Sequence, residues 1–230
     1  MPDSCKIQPA KIYICRLFAK YMSKINAIIF DLGGVIINLD IAATIAAFNK
    51  LSAQPFEAIY TQLQQTPVFD LFDKGLITEQ EFFNGLKEAM GAEPDDASML
   101  EAWNAMLLDF PLHRLELLQQ LKSKYRLFLL SNTNETHIRK FEAQLLESRG
   151  YRNLEPFFEK VYYSCRMGMR KPDAEIFEHV LKENRLVAEE TLFIDDTIHH
   201  VEGAQKTGIR AHLLPKDKDV SLLIKEWKLL

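Results

Sequence analysis

Five short apolar runs recur along the 230-residue chain, at residues 25–30, 126–130, 160–163, 191–194 and 209–213, with longer helical patterns between them. Near-continuous apolar strands alternating with amphipathic segments predict a parallel sheet covered by helices on both faces, an α/β doubly wound architecture. Helical patterns at 111–123, 135–148, 173–184 and 199–207 supply the crossovers.

One interval breaks this rhythm. Asp31 and Ser131, which end the first two runs, are 100 residues apart (131 − 31), whereas a strand–helix–strand unit takes about 30. The intervening stretch carries its own helical spacing, in Ile41, Ile45 and Phe48, in Phe82, Leu86 and Met90, and in Met99, Trp103, Met106 and Leu107. Thr78 and Glu81 form a capping-box pattern that starts a helix. The expected organisation is therefore a core of residues 22–39 and 111–230, with a small all-helical unit, 40–110, inserted beside the strand ends. Residues 1–21 differ from the rest. Arg16 interrupts the apolar "KIYICRLFAK", and Met22 immediately precedes the first strand. This segment is expected to be a disordered or dispensable tail, with Met22 a candidate start.

Composition narrows the class. A net charge of −4 and a pI near 5.9 argue against a nucleic-acid binder, which usually shows a basic stripe. No apolar stretch reaches the roughly 20 residues of a membrane helix. Cys5, Cys15 and Cys165 are odd in number and lack CxxC spacing, so no zinc site or disulfide framework is expected, which fits a cytoplasmic protein.

Chemistry concentrates where strands end. Asp31 closes the first run and is followed by Leu32, Gly33 and Gly34; Ser131 closes the second in "FLLSNTN"; Asp195 and Asp196 close the fourth in "LFIDDT". A fourth element, "GMRKPDAEIF", carries Lys171 ahead of a helix. Each alone reads equally well as a turn, a helix cap or a solvated lysine. Open α/β sheets, however, bind ligands outside the carboxyl ends of their strands, so these groups can converge. Adjacent aspartates there repel unless a cation is bound.

In this order, "DLGGV", "LSNTN", "GMRKP" and "FIDDT" resemble the four motifs of the haloacid dehalogenase superfamily, from about residue 25 to 214. The helical insertion matches the cap of the subclass that carries it after the first strand. The later part is similar to small bacterial phosphatases acting on sugar phosphates such as α-D-glucose 1-phosphate. The resemblance implies a Rossmann-like core and a Mg²⁺-dependent phosphatase. Asp31 is the implied nucleophile, passing through an aspartyl-phosphate. Asp31, the Gly33 carbonyl and Asp196 are the implied metal ligands, with Asp195 in support. The resemblance also implies that Lys171 holds the phosphate and that Ser131, with the Asn132 N–H, binds a phosphoryl oxygen. The implied partner is a small phosphate ester, with no nucleic acid or membrane.

One position departs from the family pattern. Most phosphatases of the superfamily carry a second Asp two residues after the nucleophile, as general acid–base; here it is Gly33. A sugar 1-phosphate would suffer least, since an anomeric oxygen leaves more readily than an alkyl oxygen. A 2-haloacid dehalogenase and a non-catalytic phosphate-ligand-binding protein are the alternative readings. Phe69, Asp70, Phe72 and Lys74 are candidate specificity residues of the helical unit.

Overall fold

The computed structural model describes residues 25–63 and 67–230. The expected tail, with Cys5 and Cys15, lies outside the described residues. Five parallel strands, β1 (Ala27–Phe30), β2 (Arg126–Ser131), β3 (Lys160–Tyr163), β4 (Thr191–Asp195) and β5 (Arg210–Leu213), form one sheet in the order β3-β2-β1-β4-β5. Side chains alternate along each strand. Ile28 and Phe30 therefore join one apolar layer with Leu129 and Ile194, while Ala27 and Ile29 join the opposite layer with Phe128 and Phe193. The first layer is covered by α6 (Leu112–Leu121), α7 (Glu135–Arg149) and α11 (Val220–Glu226), the second by α9 (Ala174–Asn184) and α10 (Ile198–Lys206); the one-turn α8 (Ser164–Met167) follows β3.

Between β1 and α6 come five helices: α1 (Ile41–Asn49), α2 (Phe56–Leu63), α3 (Val68–Asp73), α4 (Glu79–Met90) and α5 (Asp96–Asn104). They close around a separate aromatic-rich core that includes Phe48, Phe56, Phe82 and Trp103. α4 starts on the expected capping box, with both Thr78–Glu81 bonds present, and stops at the left-handed Gly91. The two connections to the sheet run side by side. Asp40 N–H donates to Met106 O at 2.9 Å, Leu108 N–H to Asn38 O at 3.1 Å, and Leu39 bridges Leu107.

This pairing corrects one expectation. Met106 and Leu107 share helical spacing with Met99 and Trp103, but α5 ends at Asn104 and they form the returning connection. Ile41 likewise leaves the helical core that its spacing suggested and stands 50% exposed. Among the described residues, no helix is long and apolar enough to cross a membrane.

Candidate active site

Phe30 pairs with Leu129 on one side and Ile194 on the other. The next residues along the three central strands, Asp31, Leu130 and Asp195, consequently stand side by side. Lys171 reaches all three from the α9 face. Its Nζ donates to Asp31 Oδ1 at 2.6 Å, Leu130 O at 2.8 Å and Asp195 Oδ2 at 2.7 Å. Every ammonium proton is thus used. Lys171 has no exposed surface. Burial alone would lower its pKa, but the Asp195 and Asp31 carboxylates outweigh it and hold the ammonium above its ordinary value. Burial would raise Asp195, yet Lys171 and His200 hold it below the usual carboxylate range. For Asp31 burial wins over the pull of Lys171, and its pKa lies above that range.

The lysine is fixed by its backbone. The Asn132 side chain donates Nδ2–H to Lys171 O at 2.8 Å and accepts Lys171 N–H on Oδ1 at 2.9 Å. Asn132 lies in the short loop from β2 to the N-terminus of α7, where Asn134 caps the helix by accepting His137 N–H at 3.0 Å. Ser131 is buried at the end of β2. The positive end of a 15-residue helix therefore faces this loop, a setting that favours anions.

Oxygens of Asp31, Asp195 and Asp196 lie within 4.8 Å of one another. Burial and the neighbouring Asp195 raise Asp196, the expected cost of crowding carboxylates without an opposing charge. Gly34, at φ +68°, makes the crowding possible, because a Cβ there would overlap Asp196 Oδ2. Both Asp195 oxygens are already engaged: Lys171 bonds Oδ2, Thr197 N–H bonds Oδ1 at 2.8 Å, and His200 Nδ1 sits 3.1 Å from each. Asp31 and Asp196 are therefore the carboxylates better placed to hold a cation. An all-oxygen donor set fits a hard ion such as Mg²⁺.

Above these groups a cavity of about 630 Å³ opens towards the helical unit. Asp31, Gly33, Ser131, Asn132 and Asp196 line its floor. Its apolar wall residues are Leu39, Ile41, Tyr60, Phe69, Trp103 and Met106; its polar wall residues are Asp70, Asp73, Asn134, His137 and Arg170. Trp103 stacks on His137 at 5.0 Å, and burial pushes that imidazole down to about 4, so it is neutral. The polar wall joins the helical unit to the core through ion pairs. Arg170 meets Asp70 at 3.1 Å and Asp73 at 3.5 Å; Lys74 meets Asp70 at 3.1 Å and Asp173 at 3.4 Å.

Residues 25–208 match the haloacid dehalogenase-like hydrolase family. The chain belongs to this family. It is 29% identical over 184 residues to a D-ribitol-5-phosphate phosphatase of Bacteroides thetaiotaomicron, spanning 80% of this chain and 89% of that protein. A sesquiterpene phosphatase of Aspergillus oryzae is 26% identical over 186 residues, covering 80% of this chain and 87% of its own length. Among solved structures, a haloacid-dehalogenase-family enzyme from Bacteroides thetaiotaomicron, in complex with magnesium and inorganic phosphate, superposes with a TM-score of 0.80. It is 38% identical, covering 87% of this chain and 98% of that one.

In this haloacid dehalogenase-like hydrolase, Asp31, Gly33, Ser131, Asn132, Lys171, Asp195 and Asp196 all gather at the strand ends. The structure adds a contact to Asn132, whose side chain grips the lysine backbone. Of the candidate specificity residues, Phe69 and Asp70 line the cavity. Phe72 does not. It is buried and stacks on Phe82 at 4.1 Å in the helical core. Sequence reasoning passed over Asp73, Asn134, Arg170 and His200. Asp70 and Asp73 are three apart, hence on one helix face, and Arg170 adjoins Lys171, so a local signal for Asp73 and Arg170 was present.

Proposed function

We propose that this chain is a magnesium-dependent phosphatase of small polyol or sugar phosphates, working through an aspartyl-phosphate on Asp31. As a family member with phosphatase relatives, it is a phosphoric monoester hydrolase, and its cation is magnesium. What carries the covalent reading is the Lys171 ammonium, bonded to both Asp31 and Asp195 beneath the cavity. That charge lets a carboxylate approach a phosphate dianion. Asp31 attacks phosphorus, and the ester oxygen departs. Ser131 and the Asn132 N–H hold phosphoryl oxygens, and water then releases phosphate from Asp31. Asp31 and Asp196, with the Gly33 carbonyl and Asp195 in support, would hold the magnesium, which supplies charge against the phosphoryl oxygens.

The cavity and the relatives support the choice of substrate. Its polar wall offers hydroxyl acceptors on Asp70 and Asp73 and a donor on Arg170. An acyclic pentitol 5-phosphate, the substrate named for the ribitol-phosphate relative, is placed first. Glucose 1-phosphate, suggested by the sequence motifs, ranks after it. The apolar wall and the exposed Ile41 support a second reading, a prenyl or sesquiterpenyl phosphate. Phosphate release from these three esters, with Mg²⁺ or with EDTA, tests the proposal. Metal-dependent release greatest on the pentitol phosphate is expected. Release indifferent to EDTA, or chloride release from 2-chloropropionate without phosphate release from any ester, would overturn it.

A further inference from the structure

Phosphoryl transfer to Asp31 leaves a chemical gap. Gly33 has no side chain to protonate the departing oxygen, and the space beside it is taken: a Cβ there would lie 2.7 Å from Leu39 Cδ1. Displacement at phosphorus is in line. With Asp31 at the strand ends, the departing oxygen points away from the sheet, towards the helical unit. The proton donor must stand on that side.

Among the described residues lining the cavity, few groups can move a proton there. Asp31 and Asp196 belong to the cation site. His200 is committed to Asp195. Both nitrogens of the neutral His137 are occupied, Nε2 at 3.1 Å from Trp103 O and Nδ1 facing Asn134. Asp70 is 41% exposed and shared by two cations, Arg170 and Lys74. Asp73 differs. Its side chain is 22% exposed, and its one ion-pair partner is Arg170, at a long 3.5 Å. It lines the cavity and faces the Asn134 side chain, at the end of the phosphate-facing loop.

We propose that Asp73 is the acid–base residue of the reaction, supplied by the helical unit in place of the side chain Gly33 lacks. The inference rests on the phosphatase reading above. In the first step the P–O(ester) bond breaks as the Asp31 O–P bond forms, and the Asp73 carboxyl proton passes to the ester oxygen, releasing the alcohol. In the second, the Asp73 carboxylate takes a proton from water as its oxygen attacks phosphorus. The Asp31 O–P bond breaks, and inorganic phosphate leaves. The water enters from the side the alcohol vacated, so one residue serves both steps. Burial pushes the Asp73 carboxyl up to about 6, against the pull of Arg170 and Asn134 and with the push of Asp70. Such a group exchanges protons near neutrality. Lys74 follows it in sequence, and Cys165 also faces it.

The test is Asp73→Asn, assayed with an alkyl phosphate and with 4-nitrophenyl phosphate, whose leaving group needs no proton. The proposal predicts that kcat/KM falls about 10²–10³-fold on the alkyl ester and less than about 5-fold on the aryl ester. It also predicts a stoichiometric burst of nitrophenol, because phosphoenzyme hydrolysis has lost its base. Equal losses of kcat/KM on both esters without a burst would mean that Asp73 only latches the helical unit, and would overturn the proposal. A second measurement needs no variant. In the wild type, the ratio of alkyl to aryl kcat/KM should fall as pH rises through the titration of one acid, and a flat ratio contradicts the idea. No wild-type turnover of any ester would instead defeat the phosphatase reading itself.

Discussion

Lys171 Nζ lies 2.6 Å from Asp31 Oδ1, joining residues 140 apart in the chain. The same nitrogen reaches Asp195, so one buried cation is shared by two strand-end carboxylates. This triad is structural as well as chemical. Removing one partner of a buried ion pair strands the other charges in a low-dielectric site.

Lys171→Met keeps an unbranched side chain one atom shorter and deletes the charge. It should abolish turnover and also lower unfolding stability by about 3–5 kcal/mol, read by urea melts. A melt that overlays wild type would show that the two carboxylates are relieved some other way.

Gly34→Ala places a Cβ against Asp196 Oδ2 at a positive φ. The carboxylate must move, so the Mg²⁺ concentration giving half-maximal activity should rise by about tenfold or more. Asp196→Ala should do the same. An unshifted metal titration in both variants would remove Asp196 from the cation site.

Gly33 itself has no left-handed backbone, so the clash of a Cβ there is with Leu39 Cδ1 at 2.7 Å, with Asp31 Oδ2 at an ordinary 3.9 Å. Gly33→Asp, combined with Leu39→Ala to make room, should restore alkyl-phosphate turnover to Asp73→Asn. Gly33→Asn in the same background should not, since it has equal bulk and no carboxyl proton. Equal rescue by both would assign the gain to space instead of proton transfer.

Ile41 tests the apolar wall. Ile41→Ser removes apolar surface at the cavity mouth, which should lower kcat/KM on a prenyl phosphate by about tenfold. A pentitol phosphate should lose less than about threefold. Parallel losses would mean that the wall shapes the cavity without selecting substrates.

The sheet was legible in the sequence because buried parallel strands read as continuous apolar runs, and each run became a strand within two residues of its expected ends. The inserted helices were legible from spacing and from the Thr78–Glu81 box. Met106 and Leu107 were not, since apolar spacing persists where α5 has already given way to the strand-like pairing of Leu39 with Leu107. The strand-end residues were visible because each follows an apolar run directly. Besides its neighbour Asp70, Asp73 acquires its environment through Arg170 and Asn134, at least 61 residues later (134 − 73). Its burial, and hence its protonation, is a tertiary property that no local pattern encodes.

The most direct measurement of the central claim is acid-quenched single turnover with phosphoryl-labelled ester and Mg²⁺, followed by peptide mapping. The account predicts an acid-stable but hydroxylamine-labile phosphoryl group on the peptide containing Asp31, with neither adduct nor turnover in Asp31→Asn. Full turnover by Asp31→Asn, or an adduct on any other peptide, would contradict it.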